Sequence, residues 1–155
     1  MGFNMNKAYI IIHDGENVLI GKGGRSGKWK NVRRGYHLSG GTIDGSENAR
    51  VTVLRELKEE IGIDLDESAI ESDNIKSDKA PTVTFVVAKV ESVEKLVQDF
   101  IRPPLTKENE FDEPFEQVIS LKSKDSWNNE NFNSNFYTDW FAYGLYAARN
   151  IIAPE

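Results

Sequence analysis

The sequence predicts an α/β (α+β) fold, with strands and helices intermixed in one domain, and three observations predict it. Short apolar runs rich in β-branched residues alternate with turn-forming residues. Two stretches carry apolar residues at helical spacing. The chain has 155 residues, the usual length of one domain, and shows no internal repeat or low-complexity linker, so residues 1–155 are expected to form a single folding unit.

Residues 7–12 and 17–20 are apolar runs separated by His13-Asp14-Gly15-Glu16, where Asp-Gly marks a turn, and they read as a β-hairpin. Six basic residues follow at 22–34, namely Lys22, Arg25, Lys28, Lys30, Arg33 and Arg34, interleaved with glycines. Such a segment cannot bury a periodic apolar face, so it is expected to be a loop. It leads into a short strand at 36–39, which Gly40-Gly41 is expected to break.

Over 49–61 the apolar residues Val53, Leu54, Leu57 and Ile61 recur at helical spacing, with Asn48 placed to cap the start and Gly62 to end it. The run 81–90 is rich in β-branched residues and reads as a strand; 115–121 is a weaker strand after an acidic loop. Residues 91–110 give no assignable pattern. Near the end, Phe136, Trp140, Phe141, Tyr143, Leu145, Ala148 and Ile152 predict a core-packing helix over about 133–152.

Composition excludes more than it names. The hydrophobic fraction of 39% and charged fraction of 28% are those of a soluble globular protein. With no cysteine, there is no disulfide framework, thiolate metal site or cysteine nucleophile. Any metal must be held by oxygen or histidine. The apolar stretch at 8–12 is too short to span a bilayer, and the first residues lack a basic region followed by an apolar one, so no membrane association and cytoplasmic residence are the expectation. A net charge of −6 argues against broad nucleic-acid coating.

The chemistry points to the helix at 49–61. Glu56, Glu59 and Glu60 sit at spacings of three and four and project from one face. Like charges so placed repel by about 0.2 to 0.5 kcal/mol per pair on an exposed helix. Solvent and Lys58 could screen them; a hard divalent cation is the other compensation, because carboxylate oxygens suit Mg²⁺ or Mn²⁺, which share their remaining shell with water and phosphates.

The surrounding pattern decides between these readings. Gly41, five residues, Glu47, seven residues, Arg55-Glu56-Leu57, any residue, Glu59-Glu60, any residue and Gly62-Ile63 fill every constrained position of the Nudix box. Over residues 41–63 the chain thus resembles a Nudix hydrolase of MutT-like type. The resemblance implies an α/β/α sandwich with a mixed central sheet and metal-dependent hydrolysis of a diphosphate linkage in a nucleotide-type substrate.

It also implies roles. Glu56, Glu59 and Glu60 would be metal ligands, with the carbonyl of Gly40 completing the shell. Arg55 and Glu47 would form a supporting ion pair, while Gly41 and Gly62 would shape the loops at either end of the helix. Ser39 departs from the proline the family often has before its paired glycines, a change expected to loosen that loop and to bear on metal affinity. Many members place another carboxylate before a late strand; Glu110, Asp112, Glu113 and Glu116 occupy that region, with Glu113 first and Glu116 second in order of preference. A solvated acidic loop is the alternative for that cluster.

For the reaction, two or more Mg²⁺ or Mn²⁺ ions would neutralise the phosphoryl oxygens and position a water, whose proton goes to Glu56 or a loop glutamate such as Glu113. His13 and His37 are weaker candidates for the base, since isolated histidines are more often structural. Arg25, Lys28, Arg33 and Arg34 could bind phosphates, and Trp29 or Tyr36 could stack on a base; a solvated basic loop is the competing account.

No subfamily signature for NADH, coenzyme A, ADP-ribose or dinucleotide polyphosphates is met. Nucleoside triphosphates, oxidised ones included, and nucleotide sugars remain open as substrates. The isomerases of isopentenyl diphosphate share the fold but use a cysteine, which this chain lacks. A catalytically silent nucleotide-binding or regulatory module is the alternative function, although such modules typically lose box carboxylates that this chain retains. The aromatic stretch 132–146 could cover the core or contribute to a homodimer face.

Overall fold

A computed structural model describes residues 6–23, 36–104, 114–128 and 139–154 of the chain. They form strands β1 (Lys7–His13), β2 (Asn17–Gly23), β3 (Ser39–Thr42), β4 (Ile70–Ile75), β5 (Val83–Lys89) and β6 (Phe115–Lys122). The helices are α1 (Ala49–Glu60), α2 (Val93–Asp99), α3 (Asp139–Ala147) and α4 (Arg149–Ile152).

β1 and β2 form the expected antiparallel hairpin, pairing at His13↔Val18. Its turn is closed by Asp14, whose Oδ1 accepts from the backbone N–H groups of Glu16 and Asn17 at 3.0 and 2.8 Å, and by Gly15 at φ +94°. The edge of β1 that carries β2 is shared. Along Lys7–Ile10 it pairs with β3, from Lys7↔Thr42 to Ile10↔Ser39, while its other edge runs parallel to β5 from Lys7↔Val83 to His13↔Lys89. The mixed sheet has the order β4-β5-β1-β2-β6, with β3 beside β1.

Both faces of the sheet are covered, which explains the nearly unbroken apolar runs of β1 and β5. Ala8, Ile10, Ile12, Val86 and Ala88 are buried with Val53 and Leu57 of α1 and Val93 of α2. Ile11, Phe85 and Val87 point the other way and pack with Phe141 and Leu145 of α3 and Ile152 of α4. The result is an α/β/α sandwich. α3 lies very close to the sheet, since a Cβ at Gly144 would come within 2.3 Å of the Phe85 ring.

α1 begins and ends where the sequence places its signals. Asn48 Oδ1 accepts from the Val51 N–H at 2.9 Å. Gly62, at φ +79°, donates its N–H to the carbonyls of Leu57 and Lys58 at 3.1 Å each. Strands β5 and β6 also match the expected runs.

Two expectations are corrected, and one unassigned stretch is filled. The short strand is not 36–39 broken by glycines; it is Ser39–Thr42 and contains them, while His37 makes only an isolated bridge to Gly21. The reason is contact distance: a Cβ at Gly40 would stand 2.0 Å from the Ala8 carbonyl oxygen, so the bare backbone is what lets β3 lie against β1. The C-terminal helix is interrupted at Ala148 (φ −93°, ψ 5°), and residues 133–138 of that expectation lie outside those described. Arg149 Nη1 donates to the Tyr146 carbonyl at 2.9 Å and helps close the first helix. The unassigned stretch contains α2, capped by Ser92 and anchored by Asp14 Oδ2, which accepts from the Val93 N–H at 2.8 Å.

Among the described residues, no helix is long and apolar enough to cross a membrane.

Candidate active site

The shared edge of β1 brings the glycine-bearing strand β3 under one side of α1. Glu56 and Glu60, one helical turn apart, face it and are 2% and 1% exposed. Carboxylates so deeply buried are costly unless their oxygens are matched by donors. For Glu60 the donors come from β3: Ser39 Oγ and the Gly40 N–H both donate to Oε1, at 2.8 and 3.0 Å. For Glu56 one donor comes from its own helix, Arg55 Nη1 to Oε1 at 2.8 Å. A Cβ at Gly41 would come within 3.2 Å of the Glu56 carboxylate, so glycine there keeps open the space beside it.

Arg55 organises the loop before the helix. Its Nε and Nη2 donate to the two oxygens of Glu47 at 2.9 and 3.0 Å, a two-pronged contact in fixed planar geometry. Thr52, fully buried, donates from Oγ1 to Glu47 Oε1 at 3.1 Å. Nη1 of Arg55 also lies 3.6 Å from Glu59 Oε2. The hydrogen bond from Arg55 holds the Glu47 carboxyl below its ordinary range. Hydrogen bonding to Glu47 and the nearby charge of Glu56 in turn bind the Arg55 proton more tightly, against the effect of burial. One guanidinium therefore answers the repulsion expected along the acidic stripe.

The three carboxylates of that stripe do not share one environment. Glu56 and Glu60 are buried against β3, whereas the Glu59 side chain is 39% exposed at the rim. Their hard oxygen donors, together with the space left at Gly41, fit a divalent ion such as Mg²⁺ or Mn²⁺. Among the described residues, no three histidine, aspartate or glutamate side chains are gathered closely enough to hold a metal ion by themselves. The site is open, with two buried carboxylates and one at its edge.

The other sequence candidates are distributed more widely. Tyr36 is half-buried, packs on the apolar layer beneath α3, and has Lys22 Nζ 5.7 Å from its ring centroid. Arg25, Lys28, Trp29, Arg33 and Arg34 lie outside the described residues, as do Glu110, Asp112 and Glu113. Glu116 is exposed on β6.

His13 is buried at the end of β1 away from β3; its Nδ1 accepts from the Gly15 N–H at 3.2 Å and its Nε2 lies 2.5 Å from Glu71 Oε1. His37 sits edge-on to Phe115, with ring centroids 4.4 Å apart. Both occupy packing positions. Sequence reasoning missed two residues that touch this machinery, Ser39 as a donor to Glu60 and Thr52 as a donor to Glu47. A hydroxyl beside the glycine pair and another inside an apolar helical face were the available signals.

Solved structures share this fold. A MutT/nudix family protein from Enterococcus faecalis is 17% identical with a TM-score of 0.52; the match covers 79% of this chain and 45% of that one. MutT of Aliivibrio salmonicida and Vibrio cholerae is 19% identical with a TM-score of 0.51, covering 92% of this chain and 96% of that one. A bifunctional NMN adenylyltransferase/ADP ribose pyrophosphatase from Francisella tularensis, complexed with AMP and a manganese ion, is 13% identical with a TM-score of 0.53, covering 98% and 42%. The chain thus spans less than half the length of two of these proteins. No curated protein matches its sequence. Residues 4–139 match the family model of the NUDIX domain, and with that match over most of its length the chain belongs to the Nudix hydrolase family.

Proposed function

We propose that this protein hydrolyses a diphosphate bond in a small nucleoside diphosphate derivative, a nucleoside triphosphate or a nucleotide sugar, in a reaction dependent on Mg²⁺ or Mn²⁺. The observation that carries the reading is the pair Glu56 and Glu60, both buried against a glycine strand and flanked by the Arg55–Glu47 fork. Nudix hydrolases in general use divalent metals and act on small nucleotides. The AMP and manganese ion of the Francisella tularensis relative are consistent with that choice.

Glu56, Glu59 and Glu60, with the carbonyl of Gly40, are the groups proposed to hold metal. When bound, the metal supplies neutralisation of phosphoryl charge and a more acidic attacking water. The chain's own contribution is positional. Ser39 and Gly40 fix the Glu60 carboxylate, Arg55 fixes Glu56, and the bare backbone at Gly41 keeps the approach clear. The proton released in hydrolysis passes to a carboxylate, Glu56 or Glu113. Phosphates and base are held by the basic segment through Arg25, Arg33 and Arg34, with Trp29 or Tyr36 as stacking partner.

The test is a panel of nucleoside triphosphates, oxidised nucleotides, nucleotide sugars and dinucleotides, incubated with Mg²⁺ or Mn²⁺ beside a Glu60→Gln control, with phosphate or pyrophosphate release followed. Metal-dependent turnover of one class, abolished by the substitution, is the expected result. A folded protein that binds a nucleotide but turns over none would overturn the enzyme reading in favour of a binding module.

A further inference from the structure

We infer that Ser39 is a positioning residue for Glu60, setting the affinity of this site for a divalent cation through a hydrogen bond from its hydroxyl. The inference rests on the proposed role of Glu60 as a metal ligand and adds a residue that the box pattern does not contain.

Ser39 is 3% exposed, Glu60 is 1% exposed, and the Oγ to Oε1 distance is 2.8 Å. A hydroxyl and a carboxyl oxygen at that distance make a well-formed hydrogen bond, and with both removed from water no solvent competes for it. The Gly40 N–H reaches the same oxygen at 3.0 Å. The two donors come from consecutive residues of β3, and β3 is itself registered on β1 through Ile10↔Ser39 and Tyr9↔Gly40. The orientation of the Glu60 carboxylate is therefore tied to the sheet rather than left to side-chain rotation about its own helix.

That matters for a ligand. A glutamate side chain has several rotatable bonds, and ordering it on ion binding costs free energy that a pre-set rotamer avoids. The backbone donor alone holds Oε1 at one point, and the second donor, from a different direction, restricts how the carboxylate can turn. Proline at this position would offer no hydroxyl and no such restriction. The serine, expected from sequence to loosen the loop, instead ties it to the helix.

Mn²⁺ binding to the purified protein tests this directly, titrated by electron paramagnetic resonance without substrate. The set is the parent, Ser39→Ala, Ser39→Thr and Glu60→Gln, with melting of each metal-free variant recorded alongside. Ser39→Ala is expected to weaken Mn²⁺ binding about tenfold, or about 1.4 kcal/mol, and Ser39→Thr to restore it. In turnover, Ser39→Ala should need about tenfold more metal for half-maximal rate yet approach the parent kcat at saturation.

Parent-like Mn²⁺ affinity in Ser39→Ala, with binding lost in Glu60→Gln, would overturn the role of Ser39 and leave Glu60 as a ligand. Parent-like affinity in Glu60→Gln would overturn the ligand reading itself. An equal loss in the alanine and threonine variants would assign the effect to packing rather than the hydroxyl and would likewise overturn the inference.

Discussion

Among the described residues, Arg55 makes more contacts to acidic groups than any other side chain at the site: both oxygens of Glu47, one of Glu56, one of Asp44 and the edge of Glu59. A lysine could meet one of these but not all, because an ammonium is a point charge without the planar fork. Arg55→Lys is therefore expected to lower kcat/KM by about 10- to 100-fold, the usual cost of removing a group that orients a metal ligand. Steady-state kinetics at saturating metal check it. Combined with Glu47→Gln, the losses should be less than additive, since both changes break one contact. Additive losses would mean that the two residues act separately.

At this scale the sequence is only partly legible. Spacing of three and four places Glu56, Glu59 and Glu60 on one stripe, but it does not say which of them a strand will cover. That depends on β3, whose pairing with β1 is non-local. The hydroxyl of Ser39 has no partner within its own stretch of sequence; its acceptor lies 21 residues away.

Elements are legible where their reasons are local. The Asp-Gly hairpin turn, the Asn48 cap and the Gly62 terminus are written within a few residues of the structures they form. β3 is not, because glycine weakens a strand by propensity and is required here by non-local neighbours, Ala8 and Tyr9 at Gly40 and the Glu56 carboxylate at Gly41. β4 is not, because its sequence Ile70-Glu-Ser-Asp-Asn-Ile75 is polar and its pairing with β5 is interrupted by register shifts. The break before α4 escapes notice because Leu145, Ala148 and Ile152 keep helical spacing across it and enter the same core.

Close packing of elements gives a sharper expectation than propensity does. Alanine suits helices better than glycine, yet at Gly144 the added methyl would meet the Phe85 ring at 2.3 Å. Gly144→Ala should therefore destabilise the protein by about 1 to 3 kcal/mol, the range for an overfilled core. Urea unfolding measures it. A gain in stability would show that α3 can lift from β5 at no cost.

For the whole molecule, several carboxyls sit below their ordinary range in the folded state. In Glu47 the cause is the hydrogen bond from Arg55; in Asp73 it is that from Arg50; in Asp66 it is the Ser68 N–H. Burial raises that of Asp14, but the N–H groups of Val93, Asn17 and Glu16 outweigh it. A depressed folded value means the unfolded chain binds protons more readily, so stability is fully present above the ordinary carboxylate range and falls as acid is added through it. Unfolding free energy should be level near neutrality and decline below about pH 4.5, the ordinary glutamate value. Replacing Asp14 by Asn should flatten part of that decline. A chemical denaturation series across pH follows both effects, and an unchanged slope in the variant would remove Asp14 from the account.

The place of β1 in the sheet also has a temporal side. It is made before the other described strands of the sheet, and its parallel neighbour ends only at Lys89. Until then β1 has the short hairpin and β3 for company, with one edge open. Both layers of helices rest on that unfinished centre, and the helix that carries the glutamates is synthesised before β5. Pairing across such a separation is slow to form and leaves apolar surface uncovered for a time. The nascent chain therefore holds its acidic helix, and the glycine strand that faces it, before β5 stands behind them.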